Sequence, residues 1–169
     1  MELLVITGTM GSGKTSVLGE ASDILRLRRI VHAAIDLDAF GLAYLPSATA
    51  DTVMYRNLQS AAESYTSLGV TRILLARAIE TTRELELCRK ATGANSIIVC
   101  RLTASLNTMQ ERVKLRDSGV LMQEYIARVT ELNVMLDRAR LEHFAISTEN
   151  RSVTDAAREM LFRARWIVD

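Results

Sequence analysis

The chain has 169 residues, enough for one domain around a single hydrophobic core. Its 49% apolar and 24% charged residues are typical of a globular domain, and a net charge of +1 creates no overall field that attracts nucleic acid or an anionic membrane. No apolar run approaches the length of a membrane span and the first residues lack signal-peptide features, so we expect a cytoplasmic protein without a membrane partner.

Apolar strand patterns alternate with amphipathic helix patterns along the chain. We predict strands at residues 3–7, 30–36, 72–76, 96–102 and 143–147. We predict helices at 14–25, 51–69, 82–91, 105–116, 122–141 and 152–166, with a break at 117–119. Because the strands read as continuous apolar runs, this alternation indicates an α/β fold whose parallel sheet is covered by helices on both faces.

A glycine-rich segment follows the first predicted strand directly. Gly8, four further residues and then Gly13-Lys14-Thr15 have the spacing of a phosphate-binding loop. Glycines let the backbone amides approach phosphate oxygens, and the N-terminus of the next helix adds positive potential. Lys14 can reach the β- and γ-phosphates, and the Thr15 hydroxyl can ligate Mg²⁺. We therefore predict that a nucleoside triphosphate binds to Gly8, Gly11, Ser12, Gly13, Lys14, Thr15 and Ser16.

Two aspartates, Asp36 and Asp38, end the second predicted strand. On an extended strand end alternate side chains point the same way, so we expect both carboxylates to face one cavity. One can hold Mg²⁺, and the other can take a proton from a substrate hydroxyl or orient it. The alternative is that both cap local backbone amides. The third strand ends without an acidic residue, which argues against motor and helicase ATPases and leaves Asp36 as the metal candidate.

Three arginines follow predicted strands. Arg77 can bind a polar or anionic substrate, or form a surface salt bridge with Glu80 or Glu84. Arg112 and Arg116 are four residues apart and share one face of a predicted helix. They can stabilise charge on a transferring phosphoryl group, with Gly119 as the hinge of a lid, or they belong to a solvated helix face.

The remaining chemically distinctive residues are expected to be structural. Cys88 and Cys100 lack metal-ligand spacing and are predicted to be buried. His32 and His143 stand at strand starts, opposite the edge where such sheets bind ligands. Trp166 either docks the C-terminal residues or contributes to a homodimer contact.

The chain resembles the small P-loop kinases, which include shikimate kinase, gluconate kinase, adenylylsulfate kinase and chloramphenicol phosphotransferase-like proteins. The resemblance spans nearly the whole chain and rests on four segments, which are the glycine loop, Asp36-x-Asp38, Glu111-Arg112-x-x-x-Arg116 and the stretch 147–152. It implies one domain at 1–169, a short lid around 112–122 and the strand order 2-3-1-4-5.

The same resemblance implies ATP and Mg²⁺, with phosphoryl transfer to a hydroxyl of a small molecule. It implies that Arg112 lies near the adenine, Arg116 in the lid, Asp36 near the metal and Asp38 on the substrate. Arg151 falls in the stretch that resembles the adenine-contacting loop of the family. The expected catalytic set is therefore Lys14, Asp38 and Arg116, and the expected substrate contacts are Asp38 and Arg77.

The identity of the acceptor stays open at this point. The glycine turn of shikimate kinase is replaced here by the segment 77–80, so shikimate is a poor match, while a sugar-like, nucleoside or antibiotic alcohol fits. Residues 40–65 and the surroundings of Arg77 are expected to choose the substrate. Two alternatives are a nucleic-acid 5′-hydroxyl kinase, disfavoured by the near-zero net charge, and a nucleotide-binding ATPase or switch module with little transfer.

Overall fold

The computed structural model describes residues 1–41, 47–116 and 118–168, with the backbone alone at 47–51. The strands in these ranges are β1 Glu2–Thr7, β2 Ala33–Asp36, β3 Arg72–Ala76, β4 Ser96–Thr103 and β5 Phe144–Ser147. The helices are α1 Lys14–Leu27, α2 Leu37–Phe40, α3 Ser47–Ser67, α4 Thr82–Thr92, α5 Leu106–Arg116, α6 Met122–Ala139 and α7 Val153–Arg163.

The strands of the described ranges form one parallel sheet with the order β2-β3-β1-β4-β5. This confirms the predicted α/β fold and the predicted strand order. Because all strands run the same way, their carboxyl ends meet at one edge of the sheet. The glycine loop after β1, the short helix α2 after β2 and Arg77 after β3 are therefore brought together at that edge.

The hydrophobic core lies on both faces of the sheet. Along β1, Leu4 and Ile6 face the cluster formed with α1 and α7, whereas Leu3 and Val5 face the cluster formed with α3 and α4. These four side chains are at most 1% exposed, which explains why the strand reads as a continuous apolar run. A third, smaller cluster joins α5 to α6. The predicted arrangement of three layers is confirmed.

Three element boundaries differ from the sequence prediction by three residues or more, and the short helix α2 was not predicted. β2 begins at Ala33 rather than at residue 30, because residues 28–29 form a turn in which Arg29 adopts a left-handed conformation (φ 55°). α3 begins at Ser47, four residues before the predicted start at Asp51, and α7 ends at Arg163 rather than at residue 166. The expected loop around Pro46 and part of the expected specificity region lie outside the described residues.

The residues expected to be structural are packed or hydrogen-bonded. Cys88 and Cys100 are 0% exposed, and burial raises the pKa of each thiol to about 12. The His32 Nε2 atom lies 2.8 Å from a serine hydroxyl on α1, and the Val99 amide donates to His143 Nδ1 at 3.0 Å. Trp166 is 5% exposed in the core beside α1 and α7, so it docks the C-terminal residues.

No helix in the described ranges combines the length and the apolar composition needed to cross a membrane.

The start of α4 is fixed by a reciprocal pair of hydrogen bonds. The Glu84 amide donates to Thr81 Oγ1 at 3.2 Å, and the Glu84 carboxylate accepts from the Thr81 amide at 3.0 Å. The same carboxylate accepts from the amide of Glu80 at 2.7 Å. This capping box therefore also holds the end of the loop that leads from β3 towards the helix.

We expect Thr81→Ala to lower the free energy of unfolding by about 1 kcal/mol, because the first turn of α4 loses its side-chain acceptor. Urea denaturation measures the change. Thr81→Ser keeps the acceptor oxygen and serves as the control, with most of the wild-type stability retained. Equal loss of stability in both variants would contradict a role for the cap.

Candidate active site

The backbone of the glycine loop adopts conformations that favour glycine, and two of its glycines have no room for a Cβ atom. Gly8, Gly11 and Gly13 have φ values of 145°, 75° and 97°. A Cβ atom on Gly11 would overlap the backbone carbonyl of Met109 in α5, and one on Gly8 would lie 2.7 Å from the carbonyl oxygen of Leu102. The loop is therefore pressed against β4 and α5, and glycine is required by this close approach.

A buried hydroxyl lies within the loop. Ser12 is fully buried and its Oγ atom has no hydrogen-bond partner in the described part of the chain. Buried polar atoms are rarely left without a partner, so this atom points to a ligand or water. The 14-residue helix α1 begins immediately afterwards, with Gly13 at its N-cap position. Its first amides carry positive potential towards the loop.

Lys14 lies at the junction of the loop and α1. Its Nζ atom donates to the carbonyl of Thr9 at 3.3 Å. Desolvation by burial lowers the pKa of Lys14, and the carboxylates of Asp38 and Asp36 act in the opposite direction. The ammonium group is therefore only partly compensated by the protein, and phosphate oxygens are the kind of ligand that would complete its environment.

Thr15 and Asp36 form the pair expected for a metal ion. The Thr15 hydroxyl donates to Asp36 Oδ2 at 2.7 Å, while Asp36 Oδ1 accepts from the amide of Asp38 at 3.2 Å. Asp36 thus also caps α2, as the structural alternative expected. The premise that Asp38 stands on an extended strand is wrong, because Leu37–Phe40 is helical. Both carboxylates nevertheless line one cavity.

This cavity, of about 540 Å³, is bounded by the glycine loop, α2, the loop after β3 and the α5–α6 pair. We call it the transfer cavity. It brings together Lys14, Thr15, Asp36, Asp38, Arg77 and Arg116, all expected as site residues. Its other lining residues are Met10, Ala39, Ala78, Glu80, Tyr125, Arg128 and Leu132.

Two ion pairs line the transfer cavity. Arg77 Nη1 lies 3.2 Å from Asp38 Oδ1, and Arg77 Nη2 lies 3.7 Å from Glu84 Oε1. Arg128 Nη2 lies 2.8 Å from Glu80 Oε1. Arg77 therefore forms the salt bridge expected as the structural alternative, and it also lines the cavity, where its binding of substrate stays a prediction.

A second, smaller cavity of about 170 Å³ lies on the other side of the loop. It includes the predicted nucleotide contacts Ser16, Arg112 and Arg151. Arg112 Nη1 donates to the carbonyl of Gly11 at 3.2 Å, and its Nη2 donates to the carbonyl of Thr148 at 2.8 Å. Arg151 pairs with a glutamate of α7 at 2.5 Å. The predicted site residues that line a cavity are thus divided between two cavities that flank the loop.

The end of α5 and one face of α6 line the transfer cavity. Arg116, the last residue of α5, lines the cavity and its charge lowers the pKa of Lys14. Only residues 117–121 separate α5 from α6, which confirms the predicted break in the helix pattern. Asp117 lies outside the described residues.

Sequence reasoning missed the contribution of α6. Tyr125, Arg128 and Leu132 all line the transfer cavity from this helix. Their spacing of three and four residues is a signal of one helix face, but it does not tell which neighbour that face meets. The sequence offers Glu80 only as a partner for the nearby Arg77. Its pairing with Arg128, 48 residues further along the chain, depends on tertiary packing.

The donor set fits a magnesium nucleotide. The described residues contain no cluster of three or more His, Cys, Asp or Glu side chains that could hold a metal alone. Mg²⁺ in nucleotide sites usually takes one or two protein ligands together with phosphate oxygens and water. Thr15 and Asp36, beside a glycine cradle with a buried Ser12 hydroxyl, match that pattern.

Comparison of the sequence with family models and with curated proteins finds no match. Among solved structures, the chain is similar to APS kinase from Mycobacterium tuberculosis in complex with AMPPNP and APS, with a TM-score of 0.64, 20% identity and coverage of 97% of both chains. Shikimate kinase from Acinetobacter baumannii in complex with shikimate has a TM-score of 0.63 at 17% identity, over 98% of this chain and 93% of that one. A sugar kinase from Janibacter sp. HTCC2649 has a TM-score of 0.63 at 16% identity, over 97% and 92%. The chain therefore has the fold of the small P-loop kinases.

We expect Gly11→Ala to weaken binding of a fluorescent ATP analogue by more than about tenfold, because alanine is strained at this φ and its Cβ would displace α5. Gly19→Ala is the matched control. Gly19 lies within α1 with nothing within 4 Å of an added Cβ, so affinity stays unchanged while stability rises slightly. Unchanged affinity in Gly11→Ala would contradict the cradle.

We expect Lys14→Met to stabilise the protein in the absence of nucleotide at neutral pH, because it removes a poorly solvated charge. The pKa of Lys14 is lower in the folded chain, so the unfolded chain binds the proton more tightly and wild-type stability increases as pH rises towards about 10.4. The advantage of the variant therefore shrinks with rising pH. Chemical denaturation from pH 7 to 10 measures it.

Gly19→Ala, which changes stability without adding or removing a titratable group, is the control and should show no such trend. A stability difference for Lys14→Met that stays constant with pH would contradict the assigned pKa direction.

Proposed function

We propose that the protein is an ATP- and Mg²⁺-dependent phosphotransferase that moves the γ-phosphate to a hydroxyl of a small molecule, acting as a single domain. The observation that carries this proposal is the transfer cavity, in which the phosphate-loop lysine and the Asp38 carboxylate face the same space. A cavity of about 540 Å³ is the size that small-molecule sites commonly have.

In this proposal the glycine loop, the α1 N-terminus and Lys14 bind the phosphates. Thr15 and Asp36 hold Mg²⁺, which when bound supplies positive charge to the phosphate oxygens. Ser16, Arg112 and Arg151 line the smaller cavity and contact the nucleoside. The hydrogen bonds of Arg112 to Gly11 and Thr148 fix its guanidinium in the absence of nucleotide. The guanidinium is therefore in place to orient the nucleotide when it binds.

Asp38 is assigned to the acceptor. It accepts a hydrogen bond from the attacking hydroxyl and takes up its proton. The hydroxyl oxygen forms a bond to the γ-phosphorus as the bond to the bridging oxygen of ADP breaks. Arg116 and Lys14 stabilise negative charge on the transferred group. Arg77 holds the Asp38 carboxylate in place through the 3.2 Å ion pair.

The structural neighbours support this proposal through what they bind. One is described as a complex with AMPPNP and APS and another as a complex with shikimate, so both classes of ligand occur on this fold. A module that binds nucleotide without transfer needs the loop and a metal ligand. Nucleotide binding alone does not need the Asp38–Arg77 pair in the transfer cavity, so this pair favours an enzyme that also binds an acceptor.

We expect Asp38→Asn to lower transfer by about 10²- to 10⁴-fold while the affinity for ATP stays within about twofold of wild type. The amide keeps the size of the side chain but does not take up a proton. γ-Phosphate transfer is measured against pooled sugars, nucleosides, antibiotics and a 5′-hydroxyl oligonucleotide.

Asp23→Asn, an exposed carboxylate on α1, is the matched control and should keep full activity. Transfer that survives Asp38→Asn would remove Asp38 from the mechanism. Tight ATP binding by wild type with no transfer to any acceptor would instead favour the nucleotide-binding module.

A further inference from the structure

We infer that the acceptor is an uncharged molecule with at least two hydroxyl groups, held between the Asp38–Arg77 and Glu80–Arg128 ion pairs. This inference rests on the proposed function, because it assigns the acceptor to the transfer cavity. It adds a chemical class, a neutral polyol, and a specificity-determining pair, Glu80 and Arg128.

The charged residues that line the transfer cavity fall into two groups according to their proposed roles. Lys14, Arg116 and Asp36 serve the phosphates and the metal. The other charged lining residues in the described part of the chain are Asp38, Arg77, Glu80 and Arg128, two of each sign. Their charges cancel, so this part of the cavity has no excess cation for an anionic acceptor.

Arg77 is further compensated by a carboxylate outside the cavity lining. Its guanidinium lies 3.2 Å from Asp38 and 3.7 Å from Glu84, so the three side chains together carry a charge of −1. Side chains of Arg77 and Glu84 are only 18% and 23% exposed, which limits screening by water. An anionic group placed here would have to displace a carboxylate or face a net negative cluster.

A hydroxyl group suits each ion pair better than a charged group does. It donates to a carboxylate and accepts from a guanidinium at the same time, so both partners remain compensated. The attacking hydroxyl meets Asp38 in the proposed mechanism. The Glu80–Arg128 pair, at 2.8 Å, then binds a second hydroxyl of the same molecule. Two such pairs in one cavity therefore select a polyol.

The uncharged lining residues agree with this class. Met10 and Tyr125, both half-buried, offer apolar and aromatic surface to the C–H groups of a polyol. Leu132 is 3% exposed, so this wall is part of the packed structure.

A separate groove of about 690 Å³ lies between α3 and α4 and shares no described lining residue with the transfer cavity. It contains the cations Arg56, Arg83 and Lys90. The wall between the two spaces includes Arg77, Tyr55 and Glu84, which interact with one another. This groove offers an anionic acceptor the unpaired cations that are lacking around Asp38, Arg77, Glu80 and Arg128 in the described part of the transfer cavity.

The test compares open-chain acceptors that share a carbon skeleton and differ in charge, namely glucitol, gluconate and glucamine, and ribitol with ribonate. Rates of γ-phosphate transfer from ATP–Mg²⁺ give kcat/KM for each compound. We expect the best acceptor to be a neutral member, favoured over its carboxylate counterpart by at least about tenfold, because a like charge beside the carboxylates is costly.

The specificity variant is Glu80→Gln, which leaves Arg128 without its carboxylate in the cavity. We expect the ratio of kcat/KM for the neutral compound to that for its acid to fall about tenfold, while KM for ATP stays within about twofold. Glu131→Gln is the matched control. Glu131 also pairs with Arg128, at 3.4 Å, but is not among the described residues that line the cavity, so the ratio stays unchanged.

Four results would overturn the inference. A wild-type preference for the acid would do so, and if Arg56→Ala abolished that preference the acceptor would lie in the groove between α3 and α4. A preference for the amine, or equal changes in Glu80→Gln and Glu131→Gln, would also refute it. Transfer to another alcohol of the pooled panel but to none of these compounds would refute it and leave the proposed function intact. Absence of transfer to these compounds and to the whole pooled panel, with ATP binding intact, would instead refute the proposed function on which the inference rests.

Discussion

The close approach of α5 to the glycine loop is the constraint on which the rest of the site depends. The backbone of Met109 leaves no room for a Cβ atom on Gly11, and Leu102 at the end of β4 restricts Gly8 in the same way. The loop is further tied to α6, because Thr9 Oγ1 donates to the carbonyl of Val129 at 3.3 Å. Its shape is therefore held by tertiary packing, which preorganises the amides for an anion.

Charge compensation across the loop follows from this packing. The loop places Lys14 where burial lowers its pKa, and two carboxylates lie nearby, Asp36 at the end of β2 and Asp38 in the short helix α2. The loop after β3 is held against β1, since the Ile79 amide donates to Thr7 Oγ1 at 2.9 Å. Arg77 is thereby positioned between Asp38 and Glu84. The positions of the charged side chains in the transfer cavity thus depend on hydrogen bonds that fix the loops carrying them, such as the bond from Ile79 to Thr7.

The sequence predicted the fold well because its local signals agree with one another. Apolar runs of strand length and the glycine spacing persist in the structure, and the last helix begins after Ser152, as predicted. It predicted the position of Asp38 for a wrong reason, since a helical turn and not an extended strand brings it to the cavity. Arg128 could not be predicted, because its role depends on how α6 packs over the sheet.

The position of Arg116 follows from the anchoring of Arg112 one turn earlier on α5. Arg112 bonds to the carbonyls of Gly11 and Thr148 and to the Thr148 hydroxyl, which itself donates to the carbonyl of Ser12 at 3.1 Å. The C-terminal half of α5 is therefore fixed to the phosphate loop and to the loop before α7. Because side chains four residues apart share a helix face, the same anchoring directs Arg116 towards Lys14. The glycine loop, the C-terminal half of α5 and the loop before α7 are consequently held together by one set of hydrogen bonds, and this set places Arg116 at the transfer cavity.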